Sequence, residues 1–227
     1  MHSARSWTKW IVCTLAVLCA SVAPAQTTVA ASLYGAFNES TSGNASSNNT
    51  KESPANQAGG LIEWRRIKSP LFGYEATYSY NRANEGFSPA GTACGLDCGS
   101  ETAAVSANAH EFTADWVASV KIAKLRPFAL VGGGLLLNVP SSATLTVVSC
   151  VQPNPCTQTT GPAQTSNSAS GVFVYGGGVD WGLLPHLGLR LQYRGNLYKA
   201  PAIVNAFSST NAFTHTAEPM VGIYFRL

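Results

Sequence analysis

Few side chains in this 227-residue chain could do chemistry: six cysteines, four histidines and a charged fraction of only 11%. Four of the cysteines stand as close pairs, Cys94 with Cys98 and Cys150 with Cys156. In an oxidising compartment an even set of four reads as disulfides, with three connectivities open, and the short spacings favour the two local bridges. Loops that short gain little chain-entropy stabilisation, so such bridges would pin loop shape. Zinc would need further ligands and no His lies near either pair, so no metal site is expected. His110 and His215 are the candidates for acid–base chemistry, but neither has a Ser and a carboxylate at a workable spacing. The glycine runs 132–134 and 176–178 lack the Lys-Ser/Thr pair and following helix of a phosphate loop. No catalytic residue and no cofactor are assigned.

The placement of the charges carries more information. Alternation divides the chain into eight segments, at 31–39, 58–66, 71–81, 107–121, 127–137, 171–182, 188–198 and 214–226. In the seventh, Leu189, Leu191, Tyr193 and Leu197 share one face and Arg190, Gln192, Arg194 and Asn196 the other. The period of two and the β-branched and aromatic content exclude helices. Glu63, Arg65, Glu75, Asp115, Lys121, Asp180, Arg190, Arg194, Glu218 and Arg226 all fall on the polar face, five acids and five bases. The other face is almost free of charge. Trp64, Phe72, Trp181 and Phe225 stand near one end of it, with Tyr80, Phe112 and Phe173 near the other.

The links between segments alternate in length. Those at 67–70, 122–126 and 183–187 are short, while those at 40–57, 82–106, 138–170 and 199–213 are long, polar and hold all four paired cysteines. Long structureless loops are uncommon in soluble domains. Strict alternation of tight turns with long loops is what an outer-membrane barrel shows, its aromatic girdles marking two membrane interfaces. The N-terminus agrees with export: Arg5 and Lys9 precede an apolar stretch at 11–23, and Ala23-Pro24-Ala25 supplies small residues for cleavage. Residues 1–25 are therefore expected to be a signal peptide and 26–227 the mature domain. The apolar stretch is too short for a helix that spans and stays. A formal charge of +3, two bases of which leave with the signal, excludes a nucleic-acid binder working by phosphate neutralisation.

The segment Gly176-Gly-Gly-Val-Asp-Trp-Gly-Leu-Leu-Pro-His-Leu-Gly-Leu-Arg-Leu-Gln-Tyr-Arg resembles the sixth-to-seventh-strand hairpin of the eight-stranded outer-membrane barrels, as do Pro127-Phe128 and the closing Val221-Gly-Ile-Tyr-Phe-Arg-Leu. This family is similar to the transmembrane domain of outer membrane protein A and to outer membrane protein X. Two departures are Leu227 at the end, where the family usually has an aromatic residue, and the lack of a following peptidoglycan-binding domain.

The expected fold is all-β, an eight-stranded antiparallel transmembrane β-barrel with short periplasmic turns and long extracellular loops. Eight strands leave a bore that side chains fill. Inward charges must then pair: Asp180 with Arg190 across the hairpin at Pro185, and Glu75 and Asp115 with Arg194, Arg65 or Lys121. The expected role is structural or surface-recognition, in the outer membrane, with disulfide-pinned loops making any specific contacts. Expected partners are membrane lipids, lipopolysaccharide, the outer-membrane assembly machinery and an unspecified loop ligand, with no nucleic acid. Two other readings stay open: a lipid-modifying barrel enzyme and a soluble secreted β-barrel that binds a small ligand.

Overall fold

The computed structural model describes residues 26–46, 48–69, 71–89, 98–150, 154–207 and 210–227. The expected signal peptide and Cys94 lie outside the described residues, and of Cys98 only the backbone is described. Eight strands form the barrel: β1 (Gln26–Asn38), β4 (Gln57–Ile67), β5 (Phe72–Pro89), β6 (Cys98–Ser119), β7 (Leu125–Cys150), β9 (Ser168–Gly182), β10 (Leu187–Lys199) and β11 (Phe213–Arg226). Three short strands, β2 (Thr41–Ser46), β3 (Asn48–Pro54) and β8 (Thr157–Pro162), stand beyond its loop end. Every barrel strand pairs antiparallel with its neighbours, and β1 closes the ring by pairing with both β11 and β4. Closure leaves no barrel edge unpaired, which is what a sheet needs to stand in hydrocarbon.

Alternation sorts the two faces. Outward go Leu33, Ile62, Trp116, Leu135, Leu191 and Ile223, all exposed, Trp116 to 71%. Trp64, Phe72, Trp181 and Phe225 are exposed at the turn end, and Tyr80, Phe112 and Phe173 at the loop end. Between those two rows the outward positions of the described strands carry no Asp, Glu, Lys or Arg. A lysine or arginine at the midplane there would cost about 2–4 kcal/mol. The architecture is that of a transmembrane barrel of the outer-membrane class.

Glycines let so narrow a barrel hold large inward side chains. Arg194 lies opposite Gly176, Arg190 opposite Gly222, and Asp115 opposite Gly132 in the ladders. A Cβ on Gly132 would meet the Asp115 carboxylate, and one on Gly222 would meet Ser32 Oγ. At Gly132 the missing side chain is the space that a charged one occupies.

The long links differ from the expected polar loops. Those at 40–57, 82–106 and 138–170 are mostly strand: β5 and β6 pair up to Phe87 and Ala103, and β6 with β7 as far as Cys98 opposite Cys150. The reason is on the inward side, where Phe87, Ala103, Val105 and Ala107 are buried together with Ile203 and Val204 from the β10–β11 link. Those small apolar residues are scattered among Ser, Thr and Asn, so composition hid them. Ile203 and Val204 are held by Ser166 N–H donating to Ile203 O at 3.0 Å and by a bridge from Thr165 to Val204. The barrel therefore continues outward as a wall whose last link folds back over the mouth.

Candidate functional site

The lumen has two compartments. The lower one is an ionic network set by strand register. Asp180 and Arg190 are directly opposed, as are Arg65 and Glu75. Arg190 donates from Nε and Nη2 to the two Asp180 oxygens at 2.6 and 2.8 Å, a bidentate fork, and from Nη1 to Glu63. Arg65 meets Glu75 at 2.7 Å and Glu63 at 3.1 Å, and its guanidinium lies 3.9 Å over the Phe128 ring. Arg194 donates to Thr77 and Thr113 at 3.1 and 3.0 Å, with Glu111 at 3.4 Å and Asp115 at 3.6 Å. Arg190 and Arg194 are both 0% exposed. Three guanidiniums thus knit five barrel strands across the bore.

Of the ten charges read onto the inward face, seven stand in this network: Glu63, Arg65, Glu75, Asp115, Asp180, Arg190 and Arg194. Glu218 is buried higher up, in the ladder position opposite Arg194. Arg226 sits half-buried at the turn-end mouth and donates to Pro185 O at 3.3 Å. Lys121 is a correction: it is exposed in the turn, because β6 ends at Ser119 and the pleat that would carry it inward stops there. The following reversal is tight, Ile122 pairing with Leu125, and Ala123 takes a left-handed φ of 54°.

Above the network lies the upper compartment, where Glu218 and Asn196 stand on the inward face as their parity required. Glu111, Asn138, Asn196 and Glu218 are buried there beside Tyr34 and Tyr198. Asn196 Nδ2 donates to Glu111 Oε2 at 3.0 Å. Above them, outside the aromatic rows, β3 and β5 bury Glu52 and Glu85 beneath the apolar cap. Burial, and for Glu52 also the neighbouring Glu85 charge, pushes both carboxyls up, Glu52 to about 9 and Glu85 to about 7, so the pair holds a proton at neutral pH. Their inward parity in β3 and β5 was the available signal. It was lost because 40–57 and 82–106 read as loop.

Cys150 is bonded to Cys156, closing the short loop between β7 and β8. His110 and His215 both face outward at the loop end. His110 Nδ1 lies 3.0 Å from Tyr78 Oη, and His215 Nε2 lies 2.9 Å from Tyr175 Oη. His215 Nδ1 is also 3.8 Å from Glu39. Each is stacked on its tyrosine, an arrangement of an interfacial aromatic row.

No family model and no curated protein sequence matches the chain. Among solved structures, Neisserial surface protein A is similar at 12% identity and a TM-score of 0.47, over 90% of this chain and 100% of that one. The outer membrane protein OprG from Pseudomonas aeruginosa gives 12% and 0.46, over 91% and 98%. Ail, the attachment invasion locus protein of Yersinia pestis, solved in complex with the heparin analogue sucrose octasulfate, gives 10% and 0.45, over 90% and 100%. Likenesses this distant carry no weight on activity. Fold class and outer-membrane location rest on the closed ring itself, apolar outside and ionic inside.

Proposed function

We propose that the protein is a surface-exposed outer-membrane barrel with a structural or recognition role, acting through its extracellular cap rather than as an open pore or an enzyme. The observation that carries this reading is the pairing of a side-chain-filled lumen with a mouth covered by an apolar-cored fold. A conduit would need a continuous wet path, and the guanidinium–carboxylate network occupies it. The wall instead holds strands β2, β3 and β8 and their connections outside the membrane as a rigid display. The Cys150–Cys156 bond, and a second bond between Cys94 and Cys98, would fix the outermost turns. Residues 1–25 would direct export, the outer-membrane assembly machinery would insert the barrel, and the apolar belt would contact lipids and lipopolysaccharide.

Planar-bilayer recordings of the refolded protein test the reading. It expects no steady unitary conductance in wild type and the appearance of one when Ile203→Asp opens the roof and Arg194→Ala empties part of the bore. Steady ohmic steps from wild type would overturn it.

A further inference from the structure

The upper lumen is short of positive charge. Glu111 and Glu218 are buried there, and the one guanidinium that the described residues bring to that level, Arg194, is shared with Asp115 and Glu75 below. A cavity of about 40 Å³ lies against them. Two acceptor oxygens of its lining residues, Asn196 Oδ1 and Glu218 Oε2, are buried without a hydrogen-bond partner, and Asn196 is only 1% exposed. A buried acceptor left unmade costs about 1–3 kcal/mol, and both belong to residues lining this cavity, so a donor placed in it would relieve them.

The walls say what kind of donor. Among the described residues no three carboxylate, His or Cys side chains converge to hold a metal ion. The cavity is instead flanked by the Tyr34 and Tyr198 rings and by Leu136. Carboxylate and amide oxygens beside aromatic and aliphatic surface suit a cation that carries both N–H donors and methylenes. At roughly 10–15 Å³ for each water-sized group, the space takes about three of them, an ammonium and two methylenes. Exposed Ala55 and Asn84 line the outer end, so a linear chain could trail to the surface between them.

We propose that this compartment binds the terminal ammonium of a linear primary alkylamine, with Glu218 and Asn196 accepting its N–H groups and the two tyrosines flanking its first methylenes. Binding would bring the missing positive charge and satisfy both idle oxygens at once.

Calorimetric titration of the refolded full chain in detergent with 1,4-diaminobutane tests the proposal, with calcium chloride at matched ionic strength as competitor. The expected result is a saturable one-to-one isotherm that calcium does not displace, weakened about ten-fold or more in Glu218→Gln and in Asn196→Leu. Glu39→Gln, an exposed carboxylate at the loop end, should leave it unchanged. Each variant is first shown to keep the wild-type gel-mobility change on boiling, so a lost isotherm is not lost folding. The absence of a saturable isotherm, equal affinity in Glu218→Gln, or displacement by calcium would each overturn the proposal.

Discussion

The two ends of one bore are held shut by opposite chemistry. In the membrane half, Arg65, Arg190 and Arg194 bind carboxylates from facing strands, and the greasy surface is turned outward to lipid. In the extracellular half, Phe87, Val105, Ile203 and Val204 turn inward, as do Glu52 and Glu85, while Asn84, Thr102 and Thr144 turn out to water. The strands β5 and β6 run through both halves without changing parity, and β7 changes it once, at the bulge by Ser141, so that its inward residues are even up to Asn138 and odd at Ala143 and Leu145. The solvent changes around them, so the residue types suited to each face exchange places. An ionic interior is tolerable only where register delivers every partner, whereas an apolar interior needs only volume. The membrane half is therefore specified by pairs and the cap by packing.

The largest effects should come from removing one partner of a pair. Arg190→Ala breaks the bidentate pair with Asp180 and leaves Asp180 and Glu63 to share Arg65, which Glu75 already engages, and should cost about 3–5 kcal/mol. The urea midpoint of the barrel should fall, and Arg190→Ala with Asp180→Ala should be no worse than Arg190→Ala alone. Fully additive losses would break the distinction between pairs and packing. Ile203→Ala should cost about 2–4 kcal/mol in the cap only. Limited proteolysis should then cut the 200–207 link while the gel-mobility change on boiling stays as in wild type.

The cap should also respond to pH in a direction the ionic half does not share. Glu52 and Glu85 have folded values near 9 and 7, above the roughly 4.3 of a free glutamate. The folded cap thus binds more protons than the opened one between those limits. Its stability is full below about pH 4, falls as pH rises, and levels off once the folded values are passed. The neighbours sharing the compartment are Tyr198 of β10 and Glu218 of β11, neither of which supplies a cation. Glu85→Gln should raise proteolytic resistance of the cap at pH 9 and flatten its pH dependence; an unchanged slope would remove the carboxyl pair from the explanation. The smallest effect expected is at the opposite end. Ala123→Gly relieves a left-handed alanine and should stabilise by about 1 kcal/mol or less, read as a small rise in urea midpoint.

What was legible in the sequence follows the same division. The eight membrane segments could be read because lipid outside and charge inside give the strongest two-fold alternation a strand can have. The three turns could be read from their brevity. The network's members could be listed by parity, but its partners depend on register, which alternation leaves open by two residues at a time; only the Asp180–Arg190 pair, flanking a short turn, was close to fixed. Lys121 was misplaced because parity carries no information about where a strand stops. The cap was illegible for a different reason. Ala103, Val105 and Ala107 alternate with Thr, Ser and Asn, and their cover, Ile203 and Val204, comes from about a hundred residues later. Without that contact their alternation has no partner face, and the stretch reads as a polar loop.

Backbone hydrogen exchange of the refolded protein in lipid, at pH 5 and pH 9, tests most directly whether the two halves are separately held. With rates taken relative to the intrinsic exchange rate at each pH, the expected result is a barrel segment such as 187–199 that stays protected at both values, with 83–89, 103–107 and 200–207 losing protection together at pH 9. Protection that falls equally in both halves, or a cap unprotected at pH 5, would contradict it.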